Sequence, residues 1–284
     1  VAVQRVALPR EGEDPPIDAV SKGASCPPNP VTAWDPQSYT CWVWFDTPDA
    51  EDGIEHRMRD VLNTDDADVI EGYLTDASNT RGNAERLVLP SSTAEVAAVV
   101  AHCQRHAIPL TITAQRTSTT GGPVPDGGWL MSMEKLNRVH GPDDVDGGVI
   151  LGAHQSDLAQ DGLLFPPDPT SRHECSIGAA IACNASGARS FRYGPTRPWI
   201  ESVEWVLPTG DVLWVDRDTP IPPDWPRVEW SEPGVKTAAG FYPADNLLDL
   251  VIGSEGTLGV ITRAKLRLVK APADVLGLIV FFET

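Results

Sequence analysis

The chain has 284 residues, of which 41% are hydrophobic and 22% charged, and 22 Lys and Arg against 40 Asp and Glu leave a net charge of −18. That balance excludes a disordered chain and is enough for one large or two modest domains with real cores. The acidic surface repels phosphate backbones and anionic lipid, which argues against nucleic-acid or membrane-surface binding, but a local backbone site can still hold an anionic cofactor. No apolar run approaches the roughly 18 residues of a membrane span, and the start, VAVQRVALPREGEDPP, lacks the apolar core of a signal peptide, so a cytoplasmic location is expected. The cysteines at 26, 41, 103, 175 and 183 are odd in number and lack CxxC spacing, which argues against a disulfide framework and a zinc site. A Cys26–Cys41 pair is the less favoured alternative to reduced thiols.

In chain order, residues 1–72 read as an irregular, Pro-rich, acidic N-terminal extension, with Asp and Glu crowded over residues 45–76. Within it Trp34, Trp42, Trp44 and Phe45 are able to pack against something, and a short helix is expected through Ile54–Leu62. Arg86–Leu89 is a strand closed by Pro90. Ser91, Ser92 or Thr93 then caps a helix over Ala94–His106, with Glu95 placed for a capping box and Val96, Val99, Val100 and Cys103 at helical spacing. Ile108–Thr113 is the next strand, and the strand–helix–strand order predicts a parallel pair. A Gly- and Pro-bearing loop over Ala114–Asp126 leads to a strand over Gly128–Met133. Val149–Gly152 is expected as a strand, Ser156–Gln160 as a short helix and Phe165–Glu174 as a Pro-rich loop. Ser202–Leu207 and Val212–Val215 form a hairpin around the turn Pro208-Thr-Gly-Asp211. Thr219–Pro233 is a loop, Leu247–Ile252 a short helix, and Thr257–Val269 and Asp274–Phe282 long strands. Parallel αβ units first and mostly strands later predict an α+β protein of two lobes.

Three Gly- and Ser-rich segments lie between these elements: Thr113–Gly122, Cys175–Ala188 and Gly253–Ile261. Small residues let a backbone approach a ligand, where N–H and hydroxyl groups reach phosphate oxygens. Each segment alone is equally well a tight turn. Together, in order and spacing, they resemble the FAD-binding domain of the FAD-linked oxidases, the PCMH-type family of vanillyl-alcohol oxidase, glycolate oxidase, D-lactate dehydrogenase and alkyl-dihydroxyacetone-phosphate synthase. The resemblance runs over residues 73–270 and includes Phe165-Pro-Pro-Asp-Pro169, Arg192-Tyr-Gly-Pro-Thr-Arg197, Glu204-Trp-Val-Leu-Pro-Thr-Gly-Asp211 and Lys236-Thr-Ala-Ala-Gly-Phe241. A Rossmann reading is poorer, because no GxGxxG follows a first strand.

The resemblance implies a small parallel αβ lobe, a larger and mostly antiparallel lobe, and non-covalent FAD between three walls. Thr117, Ser118, Gly121 and Gly122 would wrap the pyrophosphate. Ser176, Ile177 and Gly178 would give backbone contacts near the pyrophosphate and flavin, and Asn184, Ala185, Ser186 and Gly187 would continue that wall. Gly256, Gly259, Val260 and Ile261 would lie on the adenine side, and Pro167 and Asp168 near the isoalloxazine. The chain departs from the family in the first loop, where Arg-Gly-x-Gly-Thr-Ser is replaced by Thr113-Ala114-Gln115-Arg116-Thr117-Ser118. If those positions need φ > 0, Ala114 and Arg116 each carry strain of about 1–2 kcal/mol. Arg116 either supplies a cation to the pyrophosphate or fills the space FAD needs.

No His lies in the first loop, which argues against covalent attachment there. His154 and His173 read as surface or supporting imidazoles. His102 and His106, one helical turn apart, read as a solvated face without a third metal ligand. Arg189, Arg192 and Arg197 either pair with the acidic excess or form a positive rim for an acidic substrate. Residues 271–284 read as the first strand of a substrate (cap) domain, truncated or carried on a partner chain, and the general base is expected there. The activity implied is oxidation of a 2-hydroxy acid of D-lactate or glycolate type by hydride transfer to flavin N5. The alternatives are a non-catalytic scaffold that has lost FAD, and an enzyme like alkyl-dihydroxyacetone-phosphate synthase.

Overall fold

The computed structural model describes residues 3–4, 32–35, 40–43, 50–222, 231 and 244–282. The Cys26–Cys41 pairing, Trp44, Phe45 and the Lys236–Phe241 match lie outside the described residues. The first lobe is built from β1 (Val3–Gln4), α1 (Ala50–Met58), β4 (Leu62–Thr64), α2 (Ala67–Glu71), β5 (Arg86–Leu89), α3 (Thr93–Arg105), β6 (Leu110–Thr113) and β7 (Trp129–Ser132), with β2 (Thr32–Asp35) and β3 (Thr40–Val43) as a separate hairpin. Its sheet runs β1-β6-β7-β5-β4. The expected parallel strands β5 and β6 are parallel but not neighbours: β7 enters between them and pairs in parallel with both, Leu87↔Leu130 on one side and Thr111↔Leu130 on the other. Residues 50–72, expected as part of an irregular extension, supply α1, β4 and α2 to this lobe, with Val61 and Ile70 buried.

α3 forms where the capping residues place it. The Ser92 hydroxyl accepts from the Glu95 N–H, and the Glu95 carboxylate accepts from the Ser91 N–H at 2.8 Å. Its buried face carries Val96, Val99, Val100 and Cys103 against β5–β7. Burial pushes the Cys103 thiol up to about 12, so it is a packing residue.

The second lobe contains β8 (Val139–Gly141), β9 (Asp144–Asp146), α4 (Leu151–Gln160), β10 (Leu163–Leu164), α5 (Ile177–Ala182), α6 (Ser190–Tyr193), β11 (Ile200–Val206), β12 (Val212–Asp216), α7 (Leu247–Val251), β13 (Val260–Leu266) and β14 (Val269–Lys270). Its antiparallel sheet runs β12-β11-β13-β9-β8. The β11–β12 hairpin forms as expected, with Val203↔Val215 and Trp205↔Leu213 in register. Its turn residue Gly210 has φ +88°, and an added Cβ there would stand 2.7 Å from Ala101 Cβ, so the turn seats directly on α3.

Three expected strands differ. Val149–Gly152 is not a strand: Leu151, His154 and Leu158 lie on one buried helical face, and α4 begins at Leu151. Thr257–Gly259 stays outside β13 because Gly259 takes φ +149°. Residues 274–282 make no strand pairing, and without a partner strand the segment has no ladder to join. β8 and β9 were not anticipated, being three residues each and polar at most positions.

The core of the second lobe holds Phe165, Ile177, Ile181, Ile200, Leu248, Ile252 and Leu266, all fully buried. Val206 and Val260 reach from it into the α3 core, so the lobes share one apolar seam. Glu204 braces the seam, its carboxylate accepting from the Thr93 hydroxyl of one lobe and the Thr262 hydroxyl of the other. No helix among the described residues is long and apolar enough to cross a membrane.

Candidate functional site

All three Gly- and Ser-rich segments meet at one partly open cleft between the lobes. From the first segment come Thr113 and Ala114, at the carboxyl end of the parallel strand β6. From the second come Ser176, Gly178, Ala179 and Ala182, at and along α5. From the third come Gly256, Gly259, Val260 and Ile261, leading into β13. Carboxyl ends of parallel strands are the usual place for a ligand, because the strand-to-helix loops leave a crevice there.

The arrangement depends on side chains that are absent. A Cβ on Gly178 would lie 2.7 Å from the Gly147 carbonyl, and one on Gly259 would lie 2.3 Å from Trp205 Nε1. Gly147 also lines the cleft, and its own Cβ would meet the Ile261 carbonyl at 2.6 Å. Gly147, Met133, Ile112, Ala179 and Ala182 were missed by the sequence reading. Only the Gly147-Gly148 dipeptide carried a local signal, as a close backbone approach; the others are ordinary apolar residues placed by topology.

Among the described residues, four buried side-chain atoms have no hydrogen-bond partner: Thr113 Oγ1, Ser132 Oγ, Trp205 Nε1 and His154 Nδ1. Three of them adjoin the cleft. Thr113 lines it, Ser132 pairs with Thr113 across β6 and β7, and Trp205 lies beneath Gly259. A buried polar atom without a partner calls for an explanation, and a bound water, ion or ligand group is one. In the first loop the N–H groups of Thr117, Ser118 and Gly122 also donate no hydrogen bond to the described chain. These donors and the glycine-lined cradle fit a phosphate-bearing ligand such as FAD.

The expected contact residues divide. Ser176, Gly178, Gly256, Gly259, Val260 and Ile261 line the cleft. Ile177 does not: its side chain is fully buried in the second core and its N–H donates to the Val149 carbonyl. The backbone contacts expected from Ser176–Gly178 are limited in the same way, since the Gly178 N–H is held by Gly147 O at 2.7 Å and the Ser176 hydroxyl caps α5 through the Ala179 N–H. Thr117, Ser118, Gly121 and Gly122 form the loop beside the cleft without lining it.

Arg116 takes φ +55°, as the family's glycine pattern implies, whereas Ala114 does not take a positive φ. The Arg116 guanidinium lies 4.6 Å from the centre of the Tyr73 ring and donates to the Ala114 carbonyl, and it does not line the cleft.

Asn184 (φ +44°) accepts from the Arg197 N–H through its side chain, Ala185 O accepts from Thr196, and the Gly187 N–H donates to Ser190 Oγ. These residues fold the end of the second segment rather than line the cleft, and Ser186 lies between them. Gly187 packs on the Pro167–Pro169 loop so closely that a Cβ would overlap the Asp168 carbonyl. Asp168 accepts from Arg172 at 2.6 Å and faces Arg189 at 3.6 Å, while Pro167 O accepts from Gln155. Asp168 is therefore a hub of the loop.

Of the basic cluster, Arg197 is a structural side chain bound to Asp249 and the Ile252 carbonyl, and Arg192 stacks on Tyr193. Asp249 is buried, which would raise its carboxyl, but the bonds from Asn246 and Arg217 and the charge of Arg197 outweigh this and hold it below the usual range. His154 is buried and donates through Nε2 to the Pro142 carbonyl; burial lowers its imidazole, and it is not a cleft residue. His173 is exposed and accepts from Arg172 Nε. His102 stacks on Trp129 at 5.2 Å, so that helix face is packed rather than simply solvated. No group of metal-ligating side chains occurs among the described residues.

Residues 84–216 match the model of a family described as "FAD binding domain". A D-lactate dehydrogenase of Anaerostipes hadrus is 38% identical over 206 residues, which are 70% of this chain and 39% of that protein. A D-2-hydroxyglutarate dehydrogenase of Xanthomonas citri is 34% identical over 74% of this chain and 42% of its own length, and the glycolate oxidase subunit GlcD of Bacillus subtilis is 29% identical over 70% and 40%. The chain thus spans about two-fifths of the length of these relatives. Among solved structures, 6-hydroxy-D-nicotine oxidase of Arthrobacter nicotinovorans superposes with a TM-score of 0.58 at 18% identity, over 74% of this chain and 42% of that one. An alkyldihydroxyacetonephosphate synthase gives a TM-score of 0.59 at 19% identity, over 81% and 46%. At such identities the structural likeness establishes the fold alone. With the matched span, the two-lobed α+β fold and three segments converging on one cleft, residues 84–216 carry an FAD-binding domain similar to that of the FAD-linked oxidases.

Proposed function

We propose that this chain is the FAD-holding part of a flavoprotein that oxidises a 2-hydroxy acid of D-lactate or glycolate type, completed by a cap domain from residues beyond 284 or from a partner chain. The observation that carries the reading is the single cleft formed by three distant segments, with unpartnered polar atoms of Thr113, Ser132 and Trp205 around it. The names of the sequence relatives support the substrate class. Bound there, FAD would supply a two-electron acceptor at N5 for a hydride leaving the substrate α-carbon.

The chain's own residues bind and orient. In this reading the open N–H groups of Thr117, Ser118 and Gly122 would serve the phosphate region, and Ala179, Ala182, Val260 and Ile261 would keep the cleft wall apolar. The Asp168–Arg172–Arg189 hub fixes the loop expected near the flavin ring, with Arg189 and Arg192 offering positive charge to a substrate carboxylate. The substrate hydroxyl proton goes to a base outside this wall, since none of the described cleft residues carries a titratable side chain suited to take it. The product is then the 2-oxo acid.

The apolar segment at Val275–Phe282, with Phe281 88% and Phe282 83% exposed, supports a missing partner surface of the kind a cap would provide. The scaffold reading called for Arg116 to obstruct the ligand space; its position over Tyr73 counts against that. A cytoplasmic location goes with this reading, supported by the unbridged Cys103 and Cys175; cell fractionation tests it.

The test is to purify the chain alone and with its natural downstream sequence, add FAD, and assay D-lactate, D-2-hydroxyglutarate and glycolate with a dye acceptor. The chain alone is expected to take up FAD and the completed protein to reduce the dye with one of the three acids. A chain that stays colourless sinks the cofactor reading, and a yellow but inactive completed protein sinks the substrate class.

A further inference from the structure

We infer that Asp76 is a positioning residue for the phosphate-facing loop, acting from a strap that lies outside the matched family span. The inference rests on the cofactor reading above. The strap is the turn of chain from Leu74 to Gly82, ahead of residue 84 where the family match begins. It is closed on itself by the Gly82 N–H to Leu74 carbonyl bond at 2.9 Å and by the Thr75↔Arg81 bridge. Leu74 anchors it in the apolar cluster with Ile70, Leu87 and Leu130.

Gly82 fits it against the far end of the first loop, where a Cβ would overlap the Pro125 carbonyl. From this anchored strap one carboxylate reaches across. Asp76 Oδ2 accepts from the Gly121 N–H at 3.0 Å, while Oδ1 accepts from the N–H and hydroxyl of Ser78. The Ala77 N–H donates to the Arg116 carbonyl at 3.2 Å, so the strap holds the loop on both sides of Thr117–Thr120.

Asp76 is 8% exposed, and all of its contacts are donors within the strap and loop. Its partner Gly121 takes φ +76°, a conformation in which the loop's N–H groups turn away from regular pairing. The family's own glycines at positions 114 and 116 are replaced here, so the loop's shape depends more on outside support. A bond from an ionised carboxylate to a backbone N–H supplies that support at roughly twice the strength of a neutral one. Asp76 touches neither the cleft nor the expected reacting atoms, so it acts only through the loop.

The experiment uses the full chain with the Asp76→Asn, Asp76→Ala and Ser78→Ala substitutions. Asp76→Asn keeps the shape but cannot accept from both Gly121 and Ser78. FAD affinity is measured by flavin fluorescence titration, and backbone order by hydrogen exchange of peptides covering residues 114–123 and α5. Asp76→Asn and Asp76→Ala are expected to weaken FAD binding by about tenfold or more and to speed exchange in residues 114–123 with α5 unchanged. Ser78→Ala, which keeps the Gly121 bond, is expected to stay within about threefold of wild type.

If wild type and Asp76→Asn bind FAD equally well, the inference fails and the cofactor reading stands. Faster exchange spreading into α5 would show a general structural role and likewise overturn it. Wild type that takes up no FAD would overturn the cofactor reading itself, and this inference with it.

Discussion

Arg116 shows how one residue adapts to a conformation it does not prefer. Its φ of +55° costs about 1 kcal/mol, and its guanidinium over Tyr73 returns a comparable amount. Arg116→Gly is therefore expected to leave thermal stability within about 1 kcal/mol and FAD affinity within about threefold, by melting and titration. Arg116→Ala keeps the strain and loses the stack, and is expected to cost about 1 kcal/mol. Gly259 has no such freedom. Gly259→Ala puts a Cβ within 2.3 Å of Trp205 Nε1 at φ +149° and is expected to destabilise by about 2–4 kcal/mol in urea unfolding. Both positions were legible as glycine-type sites, Gly259 in its own segment and position 116 through the family resemblance. Ile177 is buried in the second core with its N–H on the Val149 carbonyl, a placement its apolar side chain beside a cap did not disclose. Asp76 was visible only as part of an acidic run, since its partner is 45 residues away.

At the scale of elements, the short helix α7 is tied to the chain entering β11 and the chain leaving β12 through Asp249, which binds Arg217 at 2.8 Å and Arg197 at 3.2 Å. Its carboxyl is held below the ordinary range, so the ionised form stabilises the fold above about pH 4, and that contribution is lost as pH falls through the lowered native value. Asp249→Asn is expected to destabilise the protein at pH 7 by about 2–4 kcal/mol, with two buried-facing guanidiniums left short of a partner, and to flatten the acid limb of a stability–pH profile. An acid limb unchanged in the variant would show that Asp249 is not what titrates. His154 in α4 works in a higher range. Burial lowers its pKa, so the neutral imidazole is the stable native form, and stability falls as pH drops below about 6.5. α3 was readable because cap, capping box and apolar face agree. α4 was misread at its start because Val-Ile-Leu looks like a strand until the helical spacing of Leu151, His154 and Leu158 is given more weight.

For the whole molecule, the decisive surface is the segment from Val275 to Phe282, whose large apolar side chains are 66% exposed at Val280 and more at the others. A patch of this kind on a chain of net charge −18 is expected to drive concentration-dependent self-association despite charge repulsion. Replacing Phe281 and Phe282 by Asp is expected to shift light-scattering mass toward monomer while leaving FAD uptake unchanged; unaltered mass would show that this segment is not the contact. The sequence by itself determined the β5–α3–β6 unit, β7, the β11–β12 hairpin, the two-lobed plan and the three glycine-rich segments, because caps, turns and small-residue spacing are local and survive without knowledge of neighbours. Only the tertiary structure decided that β7 lies between β5 and β6, that the three segments share one cleft, that Arg116 turns to Tyr73, and that Asp76 grips the loop. Those outcomes depend on which distant backbones come within hydrogen-bond distance, and no window of sequence contains both partners.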